Sequence, residues 1–191
     1  MYKMSWNEFE CLALEVAKNI KLEKKTYDSL VCVSRGGLLL GKILSEVLDT
    51  PLSIVSAKYV NGVYYVDNNI SSTKPVKGNV LLIDDVLEET YEKIIPVIKN
   101  KSVAKIDLAC VFFRSKNKTF KPDFYINEIK EDLWVSFPYQ SKHLKEEFNR
   151  DSKRFEIHHL DGNHSNNVFE AFGSLLSALH SKQQTIHTIQ K

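Results

Sequence analysis

The sequence lacks the features of a membrane or exported protein. None of its apolar runs approaches the roughly 20 residues that cross a bilayer, and residues 1–8 lack the apolar core of a signal peptide. The formal net charge of +2 is too small to indicate a nucleic-acid-binding protein by itself. With 43% hydrophobic and 26% charged residues, we expect a globular, cytoplasmic protein with no membrane contact.

Cysteine is scarce, and its placement excludes two kinds of site. Cys11, Cys32 and Cys110 are odd in number, widely separated and set within apolar patterns. They match neither a disulfide framework nor the paired spacing of a zinc site. This distribution is typical of reduced thiols in the core of an intracellular protein.

Histidine is almost missing from the first 150 residues. Only His143 lies there, whereas the other five histidines lie between positions 158 and 187. A length of 191 residues suits one ordinary domain with an appendage. We therefore predict a domain over residues 1–150 and a short C-terminal segment over residues 151–191.

The N-terminal part of the domain has the pattern of an amphipathic helix. Ser5 and Glu8 form a capping box. Apolar residues follow it at helical spacing as far as Ile20, which places one face of the helix against a core. We expect its aromatic residues, Trp6 and Phe9, to lie in that core.

The rest of the domain alternates between strand and helix patterns. Strands are predicted over residues 30–34, 52–59, 63–66, 80–83, 106–113, 123–127 and 133–136. One helix is predicted over residues 38–48, and a second follows strand 80–83 and ends at about residue 99. Asn61-Gly62 favours a hairpin. The polar residues 67–78 predict a mobile loop. This order predicts an α/β fold with a doubly wound, mostly parallel sheet.

Two adjacent carboxylates, Asp84 and Asp85, follow the apolar residues 80–83. Ligands of open α/β sheets bind beyond the carboxyl ends of the strands. Paired acids at such a position suit a ribose diol or a magnesium ion. The alternative is an acid pair that caps the next helix and binds no ligand.

A second candidate site lies in the segment from Val31 to Gly37. Gly36 and Gly37 follow a buried strand, where glycine lets the backbone come close to a ligand. The helix that follows presents its N-terminus, which favours an anion, and Arg35 adds a guanidinium suited to phosphate. The alternative is a turn that needs glycine for structural reasons alone.

These two segments, together with residues 121–125 (Lys-Pro-Asp-Phe-Tyr) and 132–139 (Asp-Leu-Trp-Val-Ser-Phe-Pro-Tyr), resemble the type I phosphoribosyltransferases. The likeness is to the xanthine-guanine branch and covers about residues 5–140, with four motifs in order. It implies the family's α/β fold. It also implies magnesium-dependent transfer of phosphoribose from phosphoribosyl pyrophosphate to a purine base.

The resemblance assigns the phosphate and ribose side of the site to residues near the two strand ends. Arg35, Gly36 and Gly37 correspond to the pyrophosphate loop of the family. Asp84 and Asp85 correspond to the acids that hold the ribose hydroxyls, with magnesium near Asp85.

On the base side, the resemblance makes Glu88 the acid that faces the purine N7 as a catalytic proton acceptor or donor. Trp134 corresponds to the residue that stacks on the base. Arg114, with Lys116 close by, corresponds to the residue that contacts the purine O6. The polar loop over residues 67–78 corresponds to a lid that excludes water.

The loop that binds the 5′-phosphate departs from the family pattern of acid-Thr-Gly-x-Thr. Here the sequence is Glu88-Glu89-Thr90-Tyr91-Glu92, so that carboxylates stand where the family has hydroxyls. Like charges about 4 Å apart repel by about 1 kcal/mol in water and about 4 kcal/mol at a dielectric constant of 20. We therefore predict weakened binding of the 5′-phosphate. A shift of the loop by one residue relative to the family pattern would make Thr90 a hydroxyl donor. Whether the chain is an active transferase stays open.

The C-terminal segment carries a different resemblance. Residues 155–167 resemble the HNH nuclease motif, and the likeness extends over about residues 154–184, which predicts a small ββα appendage. It implies that His158 and His180 bind one divalent metal and that His159 is the catalytic general base. DNA is the partner that this motif implies.

The segment also departs from the HNH pattern. Ala171 stands where the family has an asparagine, and Ser177 and Leu179 stand where many relatives have zinc-binding cysteines. A working nuclease, a degenerate nuclease module and an unrelated histidine-rich helix packed on the main domain are therefore all open.

Three functions follow from the two resemblances. The first is a purine phosphoribosyltransferase that forms a homo-oligomer. The second is a metal-dependent HNH-type DNA endonuclease, whose first domain senses a nucleotide or docks a partner. The third is a binding or scaffold protein without catalysis.

Overall fold

The computed structural model describes residues 1–61, 63–88, 91–114, 121–129 and 133–140, with residues 142, 144–146, 148 and 149. Contacts divide the chain into two units, Met1–Pro138 and Tyr139–Lys191. The boundary predicted near residue 150 falls inside the second unit and stays a prediction. The predicted ββα appendage over residues 151–191 lies outside the described residues. No helix among those described has both the length and the apolar character needed to cross a membrane.

The described part of the first unit contains eight strands and three helices. In chain order they are β1 (Tyr2–Lys3), α1 (Trp6–Leu22), β2 (Ser29–Ser34), α2 (Leu38–Leu48), β3 (Leu52–Val60), β4 (Val63–Ser71), β5 (Lys77–Leu87), α3 (Tyr91–Lys99), β6 (Ser102–Phe113), β7 (Asn127–Glu128) and β8 (Val135–Ser136).

Six strands form one sheet in the order β4-β3-β2-β5-β6-β7. All neighbours are parallel except β4, which runs antiparallel to β3. The prediction of an α/β fold with a mostly parallel sheet is therefore confirmed. The strand order reverses between β2 and β5, since the chain continues from β2 to β3 on one side and from β5 to β6 on the other. A crevice for a ligand is expected at the carboxyl ends of these two strands.

Both faces of the sheet are covered, as the long apolar runs of its central strands require. On one face, alternate residues of β2 and β5, including Val31 and Leu82, share a buried cluster with Ile94 and Ile98 of α3. On the other face α2 approaches so closely that a Cβ at Gly41 would lie 2.7 Å from the Cβ of Cys32. This arrangement of helices is that of a doubly wound fold.

Helix α1 begins with the predicted capping box. The Ser5 hydroxyl accepts a hydrogen bond from the Glu8 amide at 3.2 Å, and the Glu8 carboxylate accepts one from the Ser5 amide at 2.8 Å. Phe9 is buried as expected, whereas Trp6 is 52% exposed. The prediction was wrong for Trp6 because this residue precedes the buried stripe, which begins at Phe9 and ends at Ile20.

The loop predicted over residues 67–78 is shorter than expected. Strand β4 continues to Ser71, with Ile70 opposite Val55 and Ser71 opposite Ile54, and β5 begins at Lys77. The polar residues of β4 misled the prediction, because an edge strand with an exposed side tolerates asparagine and aspartate.

The strands predicted near the end of the domain also differ. Residues 123–127 contribute only an isolated bridge at Phe124 and the short β7. Strand β8, within the predicted strand 133–136, pairs with β1 in a separate two-stranded sheet, with Tyr2 opposite Val135. Two-residue strands are too short to leave a periodic signal, so β1 has no counterpart in the prediction.

A buried carboxylate on β6 is held by residues of β6 and of the segment before β2. Asp107 on β6 is 2% exposed and lies 2.8 Å from the Lys105 ammonium and 3.2 Å from that of Lys25. The Tyr27 hydroxyl donates to it at 2.8 Å. Burial by itself would raise the pKa of Asp107, but these donors outweigh burial and lower the pKa below its ordinary value.

We expect Asp107→Asn to lower the free energy of unfolding at neutral pH by about 1–3 kcal/mol, because it removes a charged acceptor from three donors. Since the folded pKa lies below the unfolded one, this stabilisation is complete above the unfolded pKa and disappears as the pH falls through the folded pKa. Urea titrations at several pH values measure the difference. A difference in the free energy of unfolding between Asp107→Asn and wild type that persists at the most acidic pH contradicts the assignment. Glu10→Gln, on the exposed surface of α1, is the control.

Candidate functional site

The candidate site lies where β2 ends and β5 continues. The two strands pair only as far as Cys32 opposite Ile83, whereas β5 goes on pairing with β6 as far as Leu87. Asp84 and Asp85 therefore lie within β5 rather than beyond its end, which corrects the predicted strand 80–83. Because β2 stops first, the edge of β5 at the two acids faces a cleft instead of a neighbouring strand.

The turn between β2 and α2 comes very close to the acids. Its Ser34–Arg35 peptide bond is cis, and the Gly37 amide donates to the Val33 carbonyl at 2.9 Å. A Cβ at Gly36 would lie 2.4 Å from Oδ1 of Asp85, and one at Gly37 would lie 2.6 Å from the Ile83 carbonyl oxygen. Glycine is thus required at position 37 by the rigid backbone of β5, whereas at position 36 a Cβ would displace the Asp85 side chain.

The cleft has a volume of about 210 Å³. It brings together five residues that the sequence singles out, with neighbours from the β3–β4 hairpin. Its lining consists of Val33, Ser34, Arg35, Gly36, Ala57, Tyr64, Asp84, Asp85, Val86 and Glu88.

Each of the two acids accepts a hydrogen bond from the backbone amide of the residue that follows it. Asp85 is 8% exposed, and its Oδ1 accepts from the Val86 amide at 2.7 Å. Oδ1 of Asp84 accepts from the Asp85 amide at 2.9 Å. Burial, and then the charge of Asp85, raise the pKa of Asp84 well above its ordinary value. A cation at this position would relieve the repulsion between the two carboxylates.

The acid pair suits one mode of magnesium binding, in which the protein supplies few of the ligands. No group of three potential metal ligands lies together within the described ranges. Magnesium is commonly held by one or two carboxylates plus the phosphates of a substrate. Asp84 and Asp85 therefore suit an ion that is bound together with a phosphorylated ligand.

Glu88 anchors the other end of the cleft. Its Oε1 accepts a hydrogen bond from the guanidinium of Arg114, and its Oε2 accepts one from the Tyr64 hydroxyl at 3.1 Å. The second terminal nitrogen of Arg114 donates to the Leu133 carbonyl at 2.7 Å. Arg114 thus connects Glu88 to the chain just before Trp134, whose side chain is 61% exposed.

Tyr64 is a site residue that sequence reasoning misses. It lies opposite Tyr59 near the tip of the β3–β4 hairpin, and the Lys93 ammonium of α3 donates to its carbonyl at 3.1 Å. The hairpin signal at Asn61-Gly62 indicates where the two strands turn. It does not indicate how far the hairpin extends over the cleft.

Several predicted site residues cannot be placed. Thr90, Lys116, His158, His159 and His180 lie outside the described residues, so their predicted roles stay predictions. Of the acids that replace hydroxyls in the phosphate loop, Glu92 is exposed in the first turn of α3, where the Tyr91 hydroxyl donates to it at 3.4 Å.

Comparison with known proteins gives consistent matches over the first unit. A family model described as the phosphoribosyl transferase domain matches residues 5–146. A xanthine-guanine phosphoribosyltransferase of Gluconobacter oxydans (strain 621H) is 23% identical in an alignment of 150 residues, and the match covers 74% of this chain and 85% of the relative.

Two solved structures have the same fold. A purine phosphoribosyltransferase from Pyrococcus horikoshii Ot3 gives a TM-score of 0.62 at 25% identity, over 73% of this chain and 93% of that one. A xanthine-guanine-hypoxanthine phosphoribosyltransferase from Helicobacter pylori gives a TM-score of 0.60 at 24% identity, over 76% and 98%.

We expect Gly37→Ala to lower the free energy of unfolding by about 1–3 kcal/mol, because the added methyl group meets rigid backbone of β5. Gly36→Ala is the matched comparison, since its methyl group meets the end of the Asp85 side chain, which can rotate at lower cost. Chemical denaturation of both variants measures the difference. Equal stability of Gly37→Ala and wild type contradicts the close approach.

Proposed function

This chain belongs to the phosphoribosyl transferase domain family, and we propose that it transfers phosphoribose from phosphoribosyl pyrophosphate to a purine base with magnesium. The observation that carries the proposal is the cleft at the switch point of the sheet, where Asp84 and Asp85 meet the turn of Arg35 and Gly36. The purine specificity is supported by relatives that are named xanthine-guanine and purine phosphoribosyltransferases.

In the proposed reaction, the bond from ribose C1′ to pyrophosphate breaks and a bond from C1′ to a ring nitrogen of the base forms. Pyrophosphate leaves with the bonding electrons, and the base loses its ring proton. Positive charge develops on the ribose, so nearby carboxylates such as Asp84 and Asp85 stabilise it and hold its hydroxyls. Arg35, exposed on the turn, supplies a guanidinium for pyrophosphate.

Magnesium, when bound with the substrate, neutralises charge on the pyrophosphate. Asp85, supported by Asp84, is the proposed protein ligand. The 34–37 turn lies directly against Asp85 and the backbone of β5, so a pyrophosphate bound at the turn would lie beside the proposed ligand of the ion.

On the base side, Glu88 is the proposed acceptor of the purine proton. Its two oxygens are held by Arg114 and Tyr64, which fixes the direction of the carboxylate. Arg114 is engaged by Glu88 and by the Leu133 carbonyl. We therefore assign it to the orientation of the acid and of the chain before Trp134, in addition to the predicted contact with O6.

The HNH-type nuclease stays a prediction from the sequence. The family match ends at residue 146, and His158, His159 and His180 lie outside the residues that the structure describes. The predicted DNA contact, the metal at these histidines and the homo-oligomer are likewise untested.

The transferase proposal is tested by incubating the purified chain with magnesium, phosphoribosyl pyrophosphate and guanine, xanthine or hypoxanthine, and measuring nucleotide formation. We expect Asp85→Asn to lower kcat/KM about 10- to 100-fold, because it removes a charged ligand and hydrogen-bond acceptor. Asp49→Asn, at an exposed helix end, is the control. Absence of product with all three bases in the wild-type protein contradicts the proposal.

A second experiment tests the acidic phosphate loop. The N-terminus of α3 favours an anion, but the Glu92 carboxylate in its first turn opposes one. We expect Glu92→Gln to lower KM for phosphoribosyl pyrophosphate about five-fold, since about 1 kcal/mol of repulsion is removed. Glu10→Gln serves as the control. An unchanged or higher KM means that Glu92 does not face the phosphate.

A further inference from the structure

We infer that Tyr64 is a positioning residue for Glu88, which holds the acid of the base side through a hydrogen bond to Oε2. The inference rests on the proposed function, since it concerns the same cleft. Tyr64 corresponds to none of the site residues that the sequence singles out, and it lies on a different element from those of them that the structure describes.

The paired β3–β4 hairpin places Tyr64 at the cleft. Strand β2 pairs with β3 as far as Ser34 opposite Ser56. The hairpin continues beyond that point, with Ala57 opposite Val66 and Tyr59 opposite Tyr64. The paired backbone therefore extends past the carboxyl end of β2, and alternate residues of β4 face the cleft or the opposite side.

The alternation explains why Tyr64 and its neighbour Tyr65 differ. Tyr64 lines the cleft and is half-buried, whereas Tyr65 is 61% exposed. The two residues are adjacent tyrosines of the same strand. Tyr65 is thus a matched control for removal of a phenol hydroxyl from this hairpin.

The hairpin has an anchor that does not depend on the phenol. The Lys93 ammonium donates to the Tyr64 carbonyl at 3.1 Å, and the strand pairing of β4 continues on both sides. Replacing Tyr64 by phenylalanine keeps the carbonyl, the ring and the pairing. The substitution therefore removes the bond to Glu88 with little change to the position of the hairpin.

Glu88 needs both of its donors to keep one orientation. Arg114 takes one carboxylate oxygen and Tyr64 the other, while the Glu88 side chain remains 34% exposed towards the cleft. A partly exposed carboxylate with a single donor can rotate about its terminal bond, which is a broad, soft torsion. Misplacing a catalytic group by about 1 Å can cost about 100-fold in rate.

The other donor is itself held from two sides. Arg114 bonds Glu88 through one terminal nitrogen and the Leu133 carbonyl through the other. Its guanidinium therefore gives one oxygen of Glu88 a fixed partner, and Tyr64 does the same for the other oxygen.

The test compares Tyr64→Phe with Tyr65→Phe in the full-length chain under the transferase assay. We expect Tyr64→Phe to lower kcat about 10- to 100-fold, with KM for phosphoribosyl pyrophosphate within two-fold of wild type. Tyr65→Phe should match wild type in every parameter. A Tm for Tyr64→Phe equal to that of Tyr65→Phe supports positioning, whereas a lower Tm with wild-type kcat overturns it in favour of a purely structural role.

A readout that does not need turnover separates this inference from the proposed function. The carbon-13 signal of the Glu88 carboxyl, assigned with Glu88→Gln, should move in Tyr64→Phe and stay in place in Tyr65→Phe. If the wild-type chain makes no nucleotide, the proposed function fails. The carbon-13 signal then still shows whether Tyr64 holds the Glu88 carboxylate. An unmoved signal in Tyr64→Phe overturns the inference whatever the activity of the wild-type protein.

Discussion

The candidate site depends on the contact between the glycine turn after β2 and the acid pair of β5. Gly36 lies against the Asp85 carboxylate and Gly37 against the backbone of Ile83, so that a Cβ at either position would meet β5. Because β2 stops where β5 continues, this contact closes one wall of the cleft while the edge of β5 stays open to it. Any ligand at the acids must therefore touch the backbone of the turn.

This packing also fixes the electrostatic character of the site. Two carboxylates at adjacent positions, one buried and one partly buried, repel each other, and burial raises the pKa of Asp84. A divalent ion bound together with a polyphosphate would reduce this repulsion. The proposed transferase chemistry uses the same two features, a charged leaving group at the turn and a developing positive charge at the acids.

The sequence predicts most of this architecture because its signals are local. A buried run followed by Arg35 and two glycines is visible within seven residues, and so is the acid pair. The continuation of β5 to Leu87 is not predictable in this way, since Asp84 and Asp85 interrupt the apolar run and only pairing with β6 sustains the strand. The contact of Tyr64 with Glu88 is not predictable for a related reason. It depends on how far the hairpin extends past β2, which sequence composition does not specify.

Arg114 shows how the structure refines a role that a resemblance implies. The resemblance places here the lysine that contacts the purine O6, which is a compact point charge, whereas a guanidinium is a planar fork with separate donors. The fork bonds Glu88 and the Leu133 carbonyl at once. The proposed base side is therefore a chain of contacts from Tyr64 through Glu88 and Arg114 to the segment before Trp134.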